Sequence, residues 1–202
     1  MTLKTLLAIP MAVCLQAVVA HAGGALPIGA SMPLADVKMK NVDGKELDLA
    51  EIKKPAGTLV VFTCNHCPFA KKWESRIVDL GNTYAAKGIG VVAINANDPK
   101  AYEEDAFDVM RQRAKERGMQ FPYVVDATSN VARAFGATKT PEAFVFDGAG
   151  KLVYHGAIDD NGEEPTKVDK AYLKLALDAV MGGTDVATKE TKSIGCTIKF
   201  RS

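Results

Sequence analysis

Two cysteines separated by two residues, Cys64 and Cys67, constrain the fold of this chain more than any other feature. They follow the apolar run 59–62 and precede a segment with helical periodicity. A cysteine pair between a buried strand and the start of a helix forms a thiol–disulfide site, because the helix N-terminus favours a thiolate over a thiol. We therefore expect Cys64 to be an exposed nucleophile with a low pKa and Cys67 to be its shielded resolving partner. His66 lies inside the pair, where it can tune the thiolate by adding positive charge.

A structural zinc site and a purely structural disulfide are two other uses of such a pair. A zinc site usually needs a second pair of ligands at matching spacing, and the remaining downstream cysteine, Cys196, stands alone. A disulfide that closes so short a loop adds less stability than one that closes a longer loop. The pattern therefore favours a redox pair, and we expect neither a bound metal nor another cofactor.

The first 22 residues have the pattern of a secretory signal peptide. Lys4 supplies the positive region, an apolar stretch covers 6–20, and 20–22 is a small-x-small cleavage site. We expect a periplasmic or secreted protein with no stable membrane insertion after cleavage. Disulfides persist outside the cytosol, so a pair that acts there as a reductant needs an electron donor. The net charge of +1 gives no reason to expect nucleic acid as a partner.

Periodicity and turn residues predict one domain over 23–183, followed by a polar tail over 184–202. Asp43-Gly44 indicates a β-hairpin, continuous apolar runs indicate buried strands, and apolar residues spaced by three or four indicate helices. The expected elements are, in order, a hairpin over 37–49, a strand over 58–62, a helix from 68 to about 87, a strand over 91–94, a helix over 101–117, a strand over 121–125, a helix over 129–135, a hairpin over 143–155 and a helix over 168–181.

The order strand, CxxC helix, strand, helix, Thr-Pro, hairpin and helix resembles the thioredoxin fold over 30–181. The N-terminal hairpin and the extra helix and strand before Thr140-Pro141 resemble the redoxin branch, which holds the alkyl-hydroperoxide-reductase-like and thiol-specific-antioxidant-like proteins. The stretches 62–68 and 92–98 and the Cys196 tail look like a subgroup of exported proteins in this family. The resemblance implies an α/β fold with a central mixed β-sheet flanked by helices, an N-terminal β-hairpin and a C-terminal tail.

The same resemblance implies roles for individual residues. Cys64 matches the attacking cysteine and Cys67 the resolving one. Pro141 matches a cis-proline opposite the active site, and the backbone of Thr140 would pair with a substrate chain as an added strand. The implied function is a thiol–disulfide oxidoreductase that exchanges disulfides with partner proteins. The reductase direction is favoured, with a membrane or soluble thiol as electron donor.

The sequence departs from two familiar patterns in this fold. Thioredoxins have a buried aspartate where this chain has Thr58, so the resemblance identifies no proton acceptor for Cys67. Peroxiredoxins have Pro-x-x-x-Thr-x-x-Cys, and this chain has Val60 and Cys64 in place of the proline and the threonine. The second departure counts against dedicated peroxide reduction.

Two other functions stay open from the sequence. The first is a thiol peroxidase with an antioxidant role, in which Cys64 or Cys67 is oxidised to a sulfenic acid and then resolved by a neighbouring cysteine. The second is a copper-binding chaperone, in which the two cysteines converge with His155, because thiolate and imidazole suit copper. Cys14 would leave with the signal peptide, so the mature chain has an odd number of cysteines. Cys196 is then a third redox cysteine, an intermolecular link or an inert thiol.

Overall fold

The computed structural model describes residues 24–201, so the expected signal peptide over 1–22 lies outside the described residues. The strands are β1 (Met39–Asn41), β2 (Glu46–Leu47), β3 (Thr58–Phe62), β4 (Gly90–Asn95), β5 (Tyr123–Val125), β6 (Lys139–Thr140), β7 (Glu142–Phe146), β8 (Leu152–Gly156) and β9 (Cys196–Thr197). The helices are α1 (Leu49–Ile52), α2 (Pro68–Ala86), α3 (Phe107–Glu116), α4 (Asn130–Phe135) and α5 (Tyr172–Met181), with short 3-10 turns at Glu103–Asp105 and Pro165–Lys167. Within this described part, no helix is long and apolar enough to cross a membrane.

Seven strands form one mixed sheet in the order β2-β1-β5-β4-β3-β7-β8. The central strand β3 runs parallel to β4 and antiparallel to β7, with Val60 opposite Val92 on one side and Phe144 on the other. Every residue of β3 is buried, which explains its continuous apolar sequence. The chain leaves this strand at the cysteine pair, so a fully buried central strand positions the site.

Helices cover both faces of the sheet and divide the core in two. Leu59 and Val61 face the layer that contains α2, α3 and α5, and Val60 and Phe62 face the layer that contains α1 and α4. This alternation follows from the two-residue period of a strand. On the first face, the Trp73 side chain is 4% exposed and its indole N–H donates to Asp159 at 2.7 Å, so the ring is part of the core.

Several element boundaries differ from the sequence expectation, among them those of the first hairpin and of the helix expected over 101–117. The first hairpin ends at Leu47 rather than 49, because Asp48 caps α1 by accepting the Glu51 N–H at 2.9 Å. The helix expected over 101–117 begins only at Phe107, and the 3-10 turn before it directs Asp105 into the protein. Local periodicity does not show this inward turn, since its contacts come from distant segments.

The last helix also differs in extent and in its buried face. It begins at Tyr172 rather than 168, and the segment ahead of it includes the 3-10 turn and an irregular stretch. Leu173, Ala176 and Leu177 are buried, and Leu175 is 60% exposed. The apolar residues of this segment predict a buried face of Tyr172, Leu175, Ala176 and Ala179. This prediction is confirmed for Ala176 and wrong for Leu175, and it missed Leu173 and Leu177.

Candidate active site

The two cysteines lie where the central strand meets the long helix. Cys64 follows β3 by two residues, and Cys67 is the N-cap residue of α2, with Pro68 in the first turn. Neither cysteine is in a disulfide, and the exposed fractions are 4% for Cys64 and 0% for Cys67. The expectation of an exposed Cys64 is wrong, because the described structure covers both sulfurs.

The segment that precedes β7 lies directly against both sulfurs. The Thr140-Pro141 peptide bond is cis, as the resemblance implied. The Thr140 hydroxyl oxygen lies 3.1 Å from the Cys64 sulfur, and the Cys67 thiol donates to the Thr140 carbonyl oxygen at 3.4 Å. A single residue therefore contacts both members of the pair.

A buried carboxylate lies on the other side of Cys64. Asp105 is 1% exposed and accepts hydrogen bonds from the Asn65 backbone N–H at 2.7 Å and from the Asn97 side chain at 2.8 Å. His66 Nδ1 is 2.6 Å from Asp105 Oδ2. Three potential metal-ligating atoms, one each from Cys64, His66 and Asp105, all lie within 4.8 Å of one another. Sequence analysis missed Asp105 because it belongs to the acidic run 103–105, which has the pattern of a solvated face.

The orientation of His66 limits what it can do to the cysteines. Its ring stacks on Tyr102 with centroids 3.8 Å apart, and its Nδ1 faces Asp105. Any positive charge on this ring is therefore shared with a carboxylate rather than directed at Cys64 alone. The role of His66 in tuning the thiolate stays a prediction.

The pKa values of the two cysteines move in opposite directions. The pKa of Cys67 is lowered to about 4, chiefly because the Cys64 thiol donates to its sulfur, and Cys196 lowers it further. The pKa of Cys64 is raised above its ordinary value by this proton sharing with Cys67, then by burial and by the Asp105 carboxylate. The expected low pKa therefore does not belong to Cys64. The pair instead holds one proton between two sulfurs and titrates as a unit.

The third cysteine joins this pair. Cys196 packs against the cluster formed by Cys64, Cys67 and Ala70, and it lies on β9, which pairs with β6. The pKa of Cys196 is raised to about 11, first by burial and then by the neighbouring Cys67 sulfur. The sequence placed Cys196 in the tail, and the structure brings it to the active site.

His155 does not join the cysteines. It lies on β8, its ring packs against Phe144, and its Nε2 is 3.5 Å from Glu190. Over residues 24–201, the potential metal ligands that come together near the pair are Cys64, His66 and Asp105. The copper set of two cysteines and His155 is therefore not formed in this structure.

The sequence and the fold are both similar to known proteins. Residues 28–155 match the sequence profile of the AhpC/TSA family. The structure of an uncharacterized conserved protein from Geobacillus kaustophilus superposes with a TM-score of 0.81 at 40% identity, covering 87% of this chain and 93% of that one. A thioredoxin family thiol:disulfide interchange protein from Chlorobium tepidum TLS superposes with a TM-score of 0.51 at 26% identity, covering 65% and 86% of the two chains. The expected thioredoxin-like fold is confirmed.

A curated relative carries a functional name. The thiol-disulfide oxidoreductase ResA of Halalkalibacterium halodurans is 26% identical over 116 residues, which are 57% of this chain and 61% of that protein. The match thus spans less than two thirds of the relative's length.

Proposed function

The chain belongs to the AhpC/TSA family, and we propose that it is a thiol–disulfide oxidoreductase that uses Cys64 and Cys67 as its redox pair. The observation that carries the proposal is the contact of both sulfurs with Thr140, beside the cis-proline bond and at the N-terminus of α2. This geometry holds two thiols together and favours one thiolate. The similarity to a protein named as a thiol-disulfide oxidoreductase supports the same reaction.

The proposed reaction transfers two electrons from the pair to a partner disulfide. In the first step, a Cys64 thiolate attacks one partner sulfur, the partner S–S bond breaks, and the second partner sulfur leaves as a thiolate. In the second step, the Cys67 thiol gives up its proton and attacks Cys64. The Cys64–Cys67 disulfide then forms and the first partner sulfur leaves. The products are a protein disulfide, one partner thiol and one partner thiolate, so electrons, charge and the single shared proton balance.

Cys64 is assigned the first attack for two reasons. It retains some exposure whereas Cys67 has none, and the Thr140 hydroxyl can donate to its thiolate. For Cys64 to attack, the proton that the pair shares must move from Cys64 to Cys67, where the thiol can donate it to the Thr140 carbonyl oxygen. The Asp105 carboxylate disfavours a negative charge on the Cys64 sulfur. We therefore propose that Asp105 controls how readily the Cys64 thiolate forms.

The order of attack can be tested by trapping. Each cysteine of the pair is replaced by serine in a Cys196→Ser background, and the protein is mixed with a peptide that carries one disulfide. We expect Cys67→Ser to accumulate a mixed disulfide at Cys64 rapidly, and Cys64→Ser to accumulate one at Cys67 only slowly, because Cys67 is fully buried. Faster accumulation in Cys64→Ser would reverse the order, and unchanged turnover in both variants would refute the proposed function.

The direction of electron flow follows from the redox potential of the pair. Equilibration with glutathione would give a value near about −270 mV for a reductase and near about −120 mV for an oxidase. We propose the reductase direction, disulfide-bearing proteins as substrates, and a membrane or soluble thiol as donor. Export to the periplasm or beyond is proposed from the pattern of residues 1–22.

Thiol peroxidase activity is the second candidate, because the matched family is described as AhpC/TSA. In this reaction a cysteine thiolate attacks a peroxide oxygen and becomes a sulfenic acid, which a second cysteine converts to a disulfide with loss of water. Consumption of hydrogen peroxide that is abolished by one cysteine substitution supports it. Lack of turnover with hydrogen and organic peroxides excludes it.

A further inference from the structure

The tail of this chain occupies the edge of the active site. β9 pairs antiparallel with β6, so that Cys196 lies opposite Thr140 and Thr197 opposite Lys139. Thr140 also contacts both sulfurs of the redox pair. Any chain that reaches the cysteines by pairing with Thr140 must therefore replace β9, because a strand edge accepts one partner at a time.

The tail is anchored to the rest of the protein both before and after β9. Before β9, the Thr191 N–H donates to the His155 carbonyl oxygen at 3.1 Å, and the Thr191 hydroxyl accepts the Ala157 N–H at 2.9 Å. After β9, Ile198 is 3% exposed and the Lys199 N–H donates to the Asn97 side chain at 2.8 Å. A short strand between two anchors can leave the site and return to it, since the anchors keep its effective concentration high.

We propose that Cys196 is a third redox-active cysteine, which β9 holds against Cys67 as an internal substitute for a partner's sulfur. This inference rests on the proposed thiol–disulfide function of the Cys64–Cys67 pair. In the oxidised protein, the Cys196 sulfur attacks Cys67, the Cys64–Cys67 bond breaks, and a Cys67–Cys196 disulfide forms. Cys64 leaves as a thiolate and takes up the proton that Cys196 has lost. The step is an isomerisation and needs no external oxidant or reductant.

The contacts of the three sulfurs favour Cys67 as the point of exchange. Cys196 packs against the cluster that holds the pair, and Cys67 accepts hydrogen bonds from both Cys64 and Cys196, which favour its thiolate. The neighbouring Cys67 sulfur also helps to keep Cys196 protonated in the reduced protein. When Cys67 is oxidised to a disulfide, its sulfur loses its negative charge and no longer disfavours a thiolate at Cys196. Cys196 therefore becomes a better nucleophile once the pair is oxidised.

Gly195 offers a way to displace β9 without touching a cysteine. A Cβ added at this position would collide with the Thr140 carbonyl oxygen and approach its carbonyl carbon at 2.7 Å. Both of these Thr140 atoms belong to the backbone, so no side-chain rotation can relieve the collision. The tail itself must therefore move away from Thr140. Ile194 is the matched control, since its side chain is 50% exposed on the same segment.

The first experiment follows the exchange chemistry in the full chain. Cys64→Ser is treated with oxidised glutathione, which forms a mixed disulfide at Cys67 and releases one glutathione thiol. We expect Cys196 to displace the second glutathione and yield a Cys67–Cys196 disulfide, detected by peptide mapping after alkylation. Cys64→Ser/Cys196→Ser should stay glutathionylated. Stable glutathionylation of Cys64→Ser itself would overturn the inference, whereas the proposed function would still stand if wild type formed the Cys64–Cys67 disulfide.

The second experiment measures access to the site. We compare the reduction rate of a disulfide-bearing protein, such as insulin, with that of glutathione disulfide. In Gly195→Ala this ratio should rise about tenfold, because β9 is displaced from the Thr140 edge in a larger fraction of the molecules. Ile194→Ala should leave this ratio unchanged. An unchanged ratio in Gly195→Ala would show that β9 does not compete with a partner chain. Loss of both rates in Cys64→Ser and Cys67→Ser tests the underlying function separately.

Discussion

Replacing Asp105 by asparagine should make the redox pair more acidic and more oxidising. The Asp105 carboxylate lies within 4.8 Å of the Cys64 sulfur and raises the pKa of that thiol. At an effective dielectric constant of about 20, two unit charges at ~4.8 Å interact by about 3.5 kcal/mol, or roughly 2.5 pKa units. Because the carboxylate also accepts hydrogen bonds from Asn65 and Asn97, part of its charge is already offset. We therefore expect the apparent pKa of the cysteine pair in Asp105→Asn to fall by about 1–2 units.

The assay is the rate of iodoacetamide alkylation as a function of pH, in a Cys196→Ser background. A thiolate that forms more easily stabilises the reduced protein, so the redox potential should rise by about 30–60 mV, at ~30 mV for each 1.4 kcal/mol. Asp126→Asn is the matched control, because Asp126 is equally buried and its carboxylate accepts the Ala132 N–H in α4. If Asp105→Asn leaves both the alkylation profile and the potential at the wild-type values, the assigned electrostatic role of Asp105 is wrong.

Three further outcomes follow from burial and charge. Phe135→Ala should lower the free energy of unfolding by about 3–5 kcal/mol in urea titrations, because this fully buried ring contacts three other phenylalanines. Trp73→Phe should cost about 1–3 kcal/mol in the same measurement, since Asp159 loses its indole donor. In the reduced protein, the lowered pKa of Cys67 means that the folded state binds fewer protons than the unfolded chain. The stability of wild type relative to Cys67→Ser should therefore rise from about pH 4 towards the ordinary thiol pKa of about 8.5, and a flat difference would contradict the shift.

The parts of the fold that local pattern controls were predictable from the sequence. Thr58–Phe62 was expected as a strand and is β3, because a fully buried strand needs a continuous apolar run. The Asp43-Gly44 turn predicted the first hairpin, and Pro68 marked the start of α2. These features depend on neighbours within a few residues, and such neighbours are visible in one sequence.

The parts of the site that distant contacts control were not predictable. Asp105 has the same local sequence context as the exposed Glu103 and Glu104, and only its contacts with Asn65 and Asn97 distinguish it. The burial of the cysteine pair has the same origin, since Thr140 from a separate strand contacts Cys64 and Cys196 from the tail packs against the cluster. Sequence spacing alone therefore indicated the cysteine pair, but it predicted an exposed Cys64, which is buried, and a low pKa at Cys64, where the structure lowers the pKa of Cys67 instead.

Asn97 connects two features that sequence analysis missed, which are the buried Asp105 and the docking of the tail at the site. Its side-chain N–H donates to Asp105 at 2.8 Å, and its side-chain oxygen accepts the Lys199 N–H of the tail at 2.8 Å. One amide thus holds both the carboxylate beside Cys64 and the anchor that follows β9. Displacement of the tail leaves the oxygen of this amide without its backbone donor and allows the side chain to turn away from the carboxylate. The charge near Cys64 and the occupation of the Thr140 edge should therefore change together, which makes partner access and thiol reactivity properties of one network.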